Sequence, residues 1–122
     1  MDLQSYLDRF NVRYQVSEHP AAYTAQGLAQ AEHVSGRRVI KPVLVECDGQ
    51  MVLCALPACD RVDLEALRED LDAERVNIAD ESLLAQNRVT FQAGTHHEAV
   101  TMSMDDYRRL AQPGIGRFAI HA

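Results

Sequence analysis

Apolar positions along the chain switch between helical and strand periodicity. Leu3, Leu7 and Phe10, with Tyr6 beside them, recur at helical spacing and predict a first helix. "RYQVSEHP" (13–20) alternates and predicts a strand that stops before Pro20. Thr24 is placed to cap a helix through Ala25, Leu28, Ala29 and Glu32, which "SGRR" (35–38) ends. The clearest unit follows. Residues 39–47 and 50–56 are apolar runs on either side of Asp48 and Gly49, the signature of a two-residue hairpin turn. That turn dictates a register, with Cys47 opposite Gln50, Val45 opposite Val52, Val43 opposite Cys54 and Lys41 opposite Leu56.

A charged residue and a proline interrupt this hairpin, in "VIKPV" (39–43). Side chains alternate across a strand, so Lys41 shares a face with Val43 and Val45 and stands near Cys54, while Ile40 and Leu44 point the other way. Both faces are apolar, as expected of a strand covered on both sides. In the same register Pro42 faces Ala55 as a non-hydrogen-bonded pair, so the hairpin does not use the N–H that proline lacks. The loss falls on the strand's outer side, which predicts an edge, a bulge or a gap next to Lys41.

Further on, Asp63 is placed to cap a helix with Leu64, Leu67 and Leu71 on one face. "RVNIA" (75–79) reads as a short strand, 88–92 as another, and 99–102 as its return after the turn "AGTHH" (93–97). Ser103 and Asp106 have capping-box spacing for a helix through Tyr107 and Leu110. "PGIG" (113–116) is too short to carry a signal. Strands and helices mix without a βαβ rhythm, which predicts the α+β class in a single domain.

The chain has 122 residues, 47% hydrophobic and 25% charged, ordinary values for a globular protein. It shows no apolar run of bilayer length and no signal-peptide pattern in 1–10, so the expectation is a cytoplasmic protein with no membrane association. Its three cysteines, Cys47, Cys54 and Cys59, form no C-x-x-C pair and read as small apolar fillers. A net charge of −6 would repel a polyanion at long range. Nucleic-acid binding therefore has to rest on a local basic patch, and Arg37, Arg38 and Lys41 form the compact one.

Candidate chemistry starts with Lys41. It reads either as a stem lying on apolar surface with its ammonium in water, or as a cation fixed at the mouth of an apolar pocket. In the second role it suits a phosphate, a carboxylate or developing negative charge, with Arg37 and Arg38 favouring a phosphorylated partner. His19, His33, His96, His97 and His121 show no metal-ligand spacing, so no metal or other cofactor is expected. His19 and His96 fall at loop positions, where functional residues concentrate. No G-x-S-x-G elbow or phosphate loop is present, and nothing places a histidine beside Cys54.

Three segments together resemble the YbaK/prolyl-tRNA synthetase-associated domain family, the free-standing relatives of a tRNA-editing domain. They are "SEHPAAYTA" (17–25), "GRRVIKPVLVECDGQMVLCALPACDRVDLEAL" (36–67) and "FQAGTHHEAVTMSMDDYRRL" (91–110), half of the chain. The resemblance implies a mixed, largely antiparallel curved sheet, partly barrel-like and flanked by helices. It implies hydrolysis of a mischarged aminoacyl-tRNA. Lys41 matches the family lysine thought to hold the terminal adenosine, and Gly94, Thr95 and His96 match a pocket-lining turn. His19 and Thr24 match the "HP…T" region of the opposite wall. Lys41 and His96 are thus the candidate catalytic residues. His19, Thr24, Arg37, Arg38, Gly94 and Thr95 are candidate substrate-binding residues. Val43 and Cys54, with Val45 and Val52, join them as pocket walls if their face is the pocket side, and would suit alanine, serine or cysteine.

Expected partners are the tRNA acceptor end and prolyl-tRNA synthetase, not DNA. Attack would be by water or a substrate group, without metal or protein nucleophile. One segment departs from the pattern. The family's G-x-x-P-P-x-G loop, with a flanking strand, has no counterpart, and the join falls near Asp80 and Glu81. Its loss leaves a non-catalytic acceptor-end binding module as the alternative.

Overall fold

Local capping signals set most helix starts. The computed structural model describes residues 3–47, 49–70, 77–93 and 96–121. Helix α1 spans Leu3–Arg9 and buries Leu7. Helix α2 (Ala25–Ala31) begins at Thr24, whose hydroxyl accepts the Gly27 N–H at 2.9 Å. A Cβ on Gly27 would stand 3.0 Å from that hydroxyl, so glycine leaves the cap its room. Helix α3 (Leu64–Asp70) starts at Asp63, whose Oδ1 accepts from the Glu65 and Ala66 amides at 3.1 and 3.2 Å. Ser103 caps α5 (Met104–Ala111), accepting the Asp106 amide at 3.1 Å as the spacing predicts. Between them lies α4 (Glu81–Leu84), a helix of one turn that the periodicity does not reveal, capped by Asp80.

Strands β1 (Tyr14–Glu18), β6 (Arg88–Gln92) and β7 (Glu98–Ser103) make an antiparallel sheet with β7 central. A second sheet runs in the order β2 (Ile40–Cys47), β3 (Gln50–Pro57), β5 (Asn77–Asp80), β8 (Gly114–Gly116). Its first pair is antiparallel and the other two pairs are parallel. Strands β4 (Asp60–Val62) and β9 (Ala119–His121) pair antiparallel as a separate ladder. The class is α+β, as predicted. Among the described residues, an isolated parallel bridge from Val39 to Thr90 links the two larger sheets, and they do not close into a barrel.

The hairpin register matches the prediction pair for pair, from Lys41–Leu56 to Cys47–Gln50. Asp48 lies outside the described residues. Gly49 has φ +83°, a conformation glycine adopts without Cβ penalty. Strand β2 is an edge strand, so Pro42 costs the sheet no hydrogen bond. Of the strand predicted over 75–79, Arg75 and Val76 lie outside the described residues, as does Leu71 of the predicted leucine face. Leu67 of that face is buried, whereas Leu64 is exposed.

Two apolar clusters sandwich the second sheet. On one face Ala55 and Ala79 pack with Leu7, Val89, Val100 and Met102. On the other, Val52, Cys54 and Ile78 pack with Leu67 and Phe118. The expectation that β2 is covered on both faces needs correcting. Leu44, Met51 and Leu53 are 63%, 50% and 42% exposed, because the first sheet covers only the Ile40–Ala55 end of the hairpin. Among the described residues, no helix is long and apolar enough to cross a membrane.

Candidate functional site

Where the two sheets diverge they leave a cavity of about 590 Å³. Its floor is Ile40, Pro42, Leu53 and Ala55 of the hairpin, and its far wall is Phe91 and Gln92 of β6. Tyr23, Thr24, Ala25 and Leu28 close the side toward α2, and Asn77 and Tyr107 the remaining side. Lys41 borders the opening. The walls are mostly apolar with a few amides and hydroxyls, the composition of a ligand site. Burial pushes the Tyr107 phenol above its usual range, so at neutral pH it remains a hydroxyl. Among the described lining residues there is no Cys, His, Asp or Glu. Such walls can position a substrate and a water molecule.

The rim joins the two histidine segments. The His19 amide donates to the His97 carbonyl at 2.8 Å, and the Ala22 amide to the His96 carbonyl at 2.9 Å. These bonds fix the 19–24 loop against 96–97, which places the His96 ring 4.6 Å from that of Tyr23. Gln92 donates to the Ala22 carbonyl at 3.1 Å and braces the same loop. His19 turns away from the cavity and is buried. Its Nδ1 donates to the Pro20 carbonyl at 2.7 Å, and Nε2 lies 4.0 Å from Glu32.

Lys41 stands between this cavity and a polar corner. Its ammonium donates to the main-chain carbonyl of Asp60. The Asp60 carboxylate, buried, accepts from Arg37 at 2.7 Å and lies 3.0 Å from His121 Nδ1. Arg37 also donates to Cys59 Sγ at 3.3 Å. The Cys59 bond, and after it Asp60, outweigh burial and raise the guanidinium above its usual pKa. Two of the three cations expected to form a phosphate patch are therefore engaged by one residue. An ammonium has three donors, of which the Asp60 carbonyl takes one.

The structure thus brings Thr24 and Lys41 to the cavity and His96 to its rim. Arg37 and Arg38 do not line it. Val43 and Cys54 are not cavity walls either. Their face of the hairpin packs against Leu67 and Phe118, because the cavity opens on the opposite face. Burial there, then the Cys47 sulfur, push the Cys54 thiol up to about 11, so it is no thiolate nucleophile at neutral pH. Gly94 and Thr95 lie outside the described residues. Tyr23, Phe91, Gln92 and Tyr107 line the cavity without belonging to any motif in the sequence. The signal for the first three was proximity: Tyr23 precedes the Thr24 cap, and Phe91 and Gln92 precede the histidine turn.

The model of the aminoacyl-tRNA editing domain family matches residues 19–86, more than half of the chain. The chain belongs to the aminoacyl-tRNA editing domain family. No curated protein matches it. This editing domain is similar in structure to hypothetical protein APE2540, with a TM-score of 0.79 and 11% identity over 97% of this chain and 99% of the other. A candidate trans-editing enzyme for prolyl tRNA synthetase gives 0.72 and 19% identity, over 97% and 94%. A scaffold from computational epitope grafting gives 0.77 and 19%, over 98% and 95%. At these identities the three likenesses bear on the fold, and the fold is shared along nearly the whole chain.

Proposed function

We propose that residues 1–122 form one unit that hydrolyses mischarged aminoacyl-tRNA in trans. The observation that carries this reading is the apolar cavity at which Thr24, Lys41 and the Tyr23–His96 pair converge, in a chain of the editing family. The aminoacyl end enters the cavity. Lys41 holds the terminal adenosine or its phosphate with the donors that Asp60 leaves, and the His96 turn orients the attacking water. Water adds to the ester carbonyl, and the bond to the ribose oxygen breaks, releasing amino acid and tRNA. The ester is already labile, so position and charge stabilisation suffice. A structural relative is a candidate trans-editing enzyme for prolyl tRNA synthetase. Small amino acids on tRNA(Pro) are accordingly the first substrates to try, prolyl-tRNA synthetase the first partner, and the cytoplasm the expected compartment.

One observation favours the second reading, a binding module without turnover. Lys41 and Arg37 both donate to Asp60, as structural cations would. Deacylation of alanyl-, seryl- and cysteinyl-tRNA(Pro) at low salt tests the two together. Turnover supports the enzyme. Salt-sensitive binding without turnover supports the module.

A further inference from the structure

The corner around Asp60 gathers three side chains of metal-ligating type that the cavity chemistry does not use. Cys59 Sγ, an Asp60 carboxylate oxygen and a His121 ring nitrogen all lie within 4.8 Å of one another. Asp60 Oδ1 is 3.0 Å from His121 Nδ1 and 3.6 Å from Cys59 Sγ. A tetrahedral Zn²⁺ with its usual bond lengths separates such ligand atoms by about 3.3–3.6 Å. The Asp60–His121 and Asp60–Cys59 separations are close to that geometry, and Cys59 and His121, within 4.8 Å of one another, draw together to complete it.

The scaffold is held independently of any ion. Asp60 and His121 are register partners in the β4–β9 ladder. Strand β9 is fixed from behind, because Asp80 Oδ1 accepts the Phe118 and Ala119 amides at 2.8 and 2.9 Å. Strand β4 is fixed by the Lys41 bond to the Asp60 carbonyl, and the Ala58 amide just before it donates to the Val39 carbonyl at 2.9 Å. The backbone that carries the ligands is thus set before an ion binds. A polar cavity of about 300 Å³, bordered by Asp60, Asp63 and His121, gives an ion its way in.

The corner already holds a cation. Arg37 reaches both Asp60 Oδ1 and Cys59 Sγ, two of the three ligand atoms. Its side chain is 34% exposed and can swing into solvent.

We propose that Cys59, Asp60 and His121 bind Zn²⁺, with Arg37 as the resident cation that the metal displaces. A thiolate, a carboxylate and an imidazole suit Zn²⁺ among common divalent ions. The thiol proton passes to solvent as the sulfur–metal bond forms. A fourth position faces the polar cavity and takes water. The ion clips β9 to β4, strands about sixty residues apart in sequence, so loading raises the melting temperature.

The test uses the full, untagged chain stripped of metal. Co²⁺ titration reads the thiolate–metal absorption, and chelator competition gives Zn²⁺ affinity. We expect one equivalent bound, a thiolate band, and an upward melting shift with Zn²⁺. Cys59→Ser and His121→Ala should each weaken binding at least about tenfold. Both positions lie outside the core, and circular dichroism confirms that each variant folds. Arg37→Gln, which removes the competing cation, should bind more tightly than wild type. Wild-type affinity no better than that of the Cys59→Ser variant, a Co²⁺ spectrum without a thiolate band, or Arg37→Gln binding that is unchanged or weaker would each overturn the proposal.

Discussion

The cavity beside α2 and the corner around Asp60 flank the same lysine but are built differently. Around Asp60, Arg37, His121 and the Lys41 ammonium surround one residue, and Asp80 nearby is fully engaged. In the cavity, apolar walls surround a few amides and hydroxyls. Polar groups that satisfy one another contribute to the fold and specify its geometry. Apolar walls with spare donors leave free energy for a ligand. The contrast separates residues expected to matter for stability from those expected to matter for substrate.

The largest test of the contrast is Asp80→Ala. It leaves the Phe118 and Ala119 amides without their acceptor and uncaps α4, which should cost about 3 kcal/mol. Chemical denaturation measures this, and a loss below about 0.5 kcal/mol would remove Asp80 from the framework. The same carboxylate sets a pH dependence. Burial alone would raise the Asp80 carboxyl, but bonds from Ser82, Phe118 and Ala119 outweigh it and hold the group below its usual range. A lowered folded pKa gives stability that is complete above the ordinary aspartate value, about 3.9, and is lost as pH falls through the lower folded value. That part of the acid limb should be missing in Asp80→Ala.

Next in size is Cys54→Ala, which removes a fully buried side chain from the sheet's closed face. About 1 kcal/mol of stability should go, with kcat/KM and amino-acid preference unchanged. A changed preference would mean that this face, not the open one, meets the substrate. Tyr23→Ala should do the reverse. Tyr23 is 74% exposed and its ring lies tilted 4.6 Å from that of His96 at the rim. KM should rise severalfold, the scale of about 1 kcal/mol for an aromatic contact, while the melting temperature stays put.

The same contrast marks how far the sequence could be read. Features set by neighbours in the chain were legible: the hairpin register from Asp48 and Gly49, and the Thr24, Asp63 and Ser103 caps. So was a break in pairing at Pro42, as an edge, a bulge or a gap, since proline's missing donor has a local consequence, and the structure makes it an edge. Features set by distant pairing were not. The β4–β9 ladder joins Asp60 to His121, and "PGIG" becomes β8 only by pairing with β5. Alternation showed that Lys41 and Cys54 share a side. Which side opens on a cavity depends on where the other sheet packs, and no local spacing encodes that. Likewise Asp60, hidden in "LPACDRVDL", gives no sign that it will bind both Arg37 and Lys41.

The most direct measurement is deacylation of mischarged tRNA(Pro) by wild type and Lys41→Ala side by side, with melting temperatures for both. On the reading of Lys41 as a substrate-holding cation, wild type turns over and the variant loses about 10²-fold, the scale for removing one preorganised donor. Its stability should fall by only about 1 kcal/mol, the share of the Asp60 carbonyl bond. Turnover undiminished in the variant, or a variant that fails to fold, would contradict it and make Lys41 a structural lysine of the Asp60 corner.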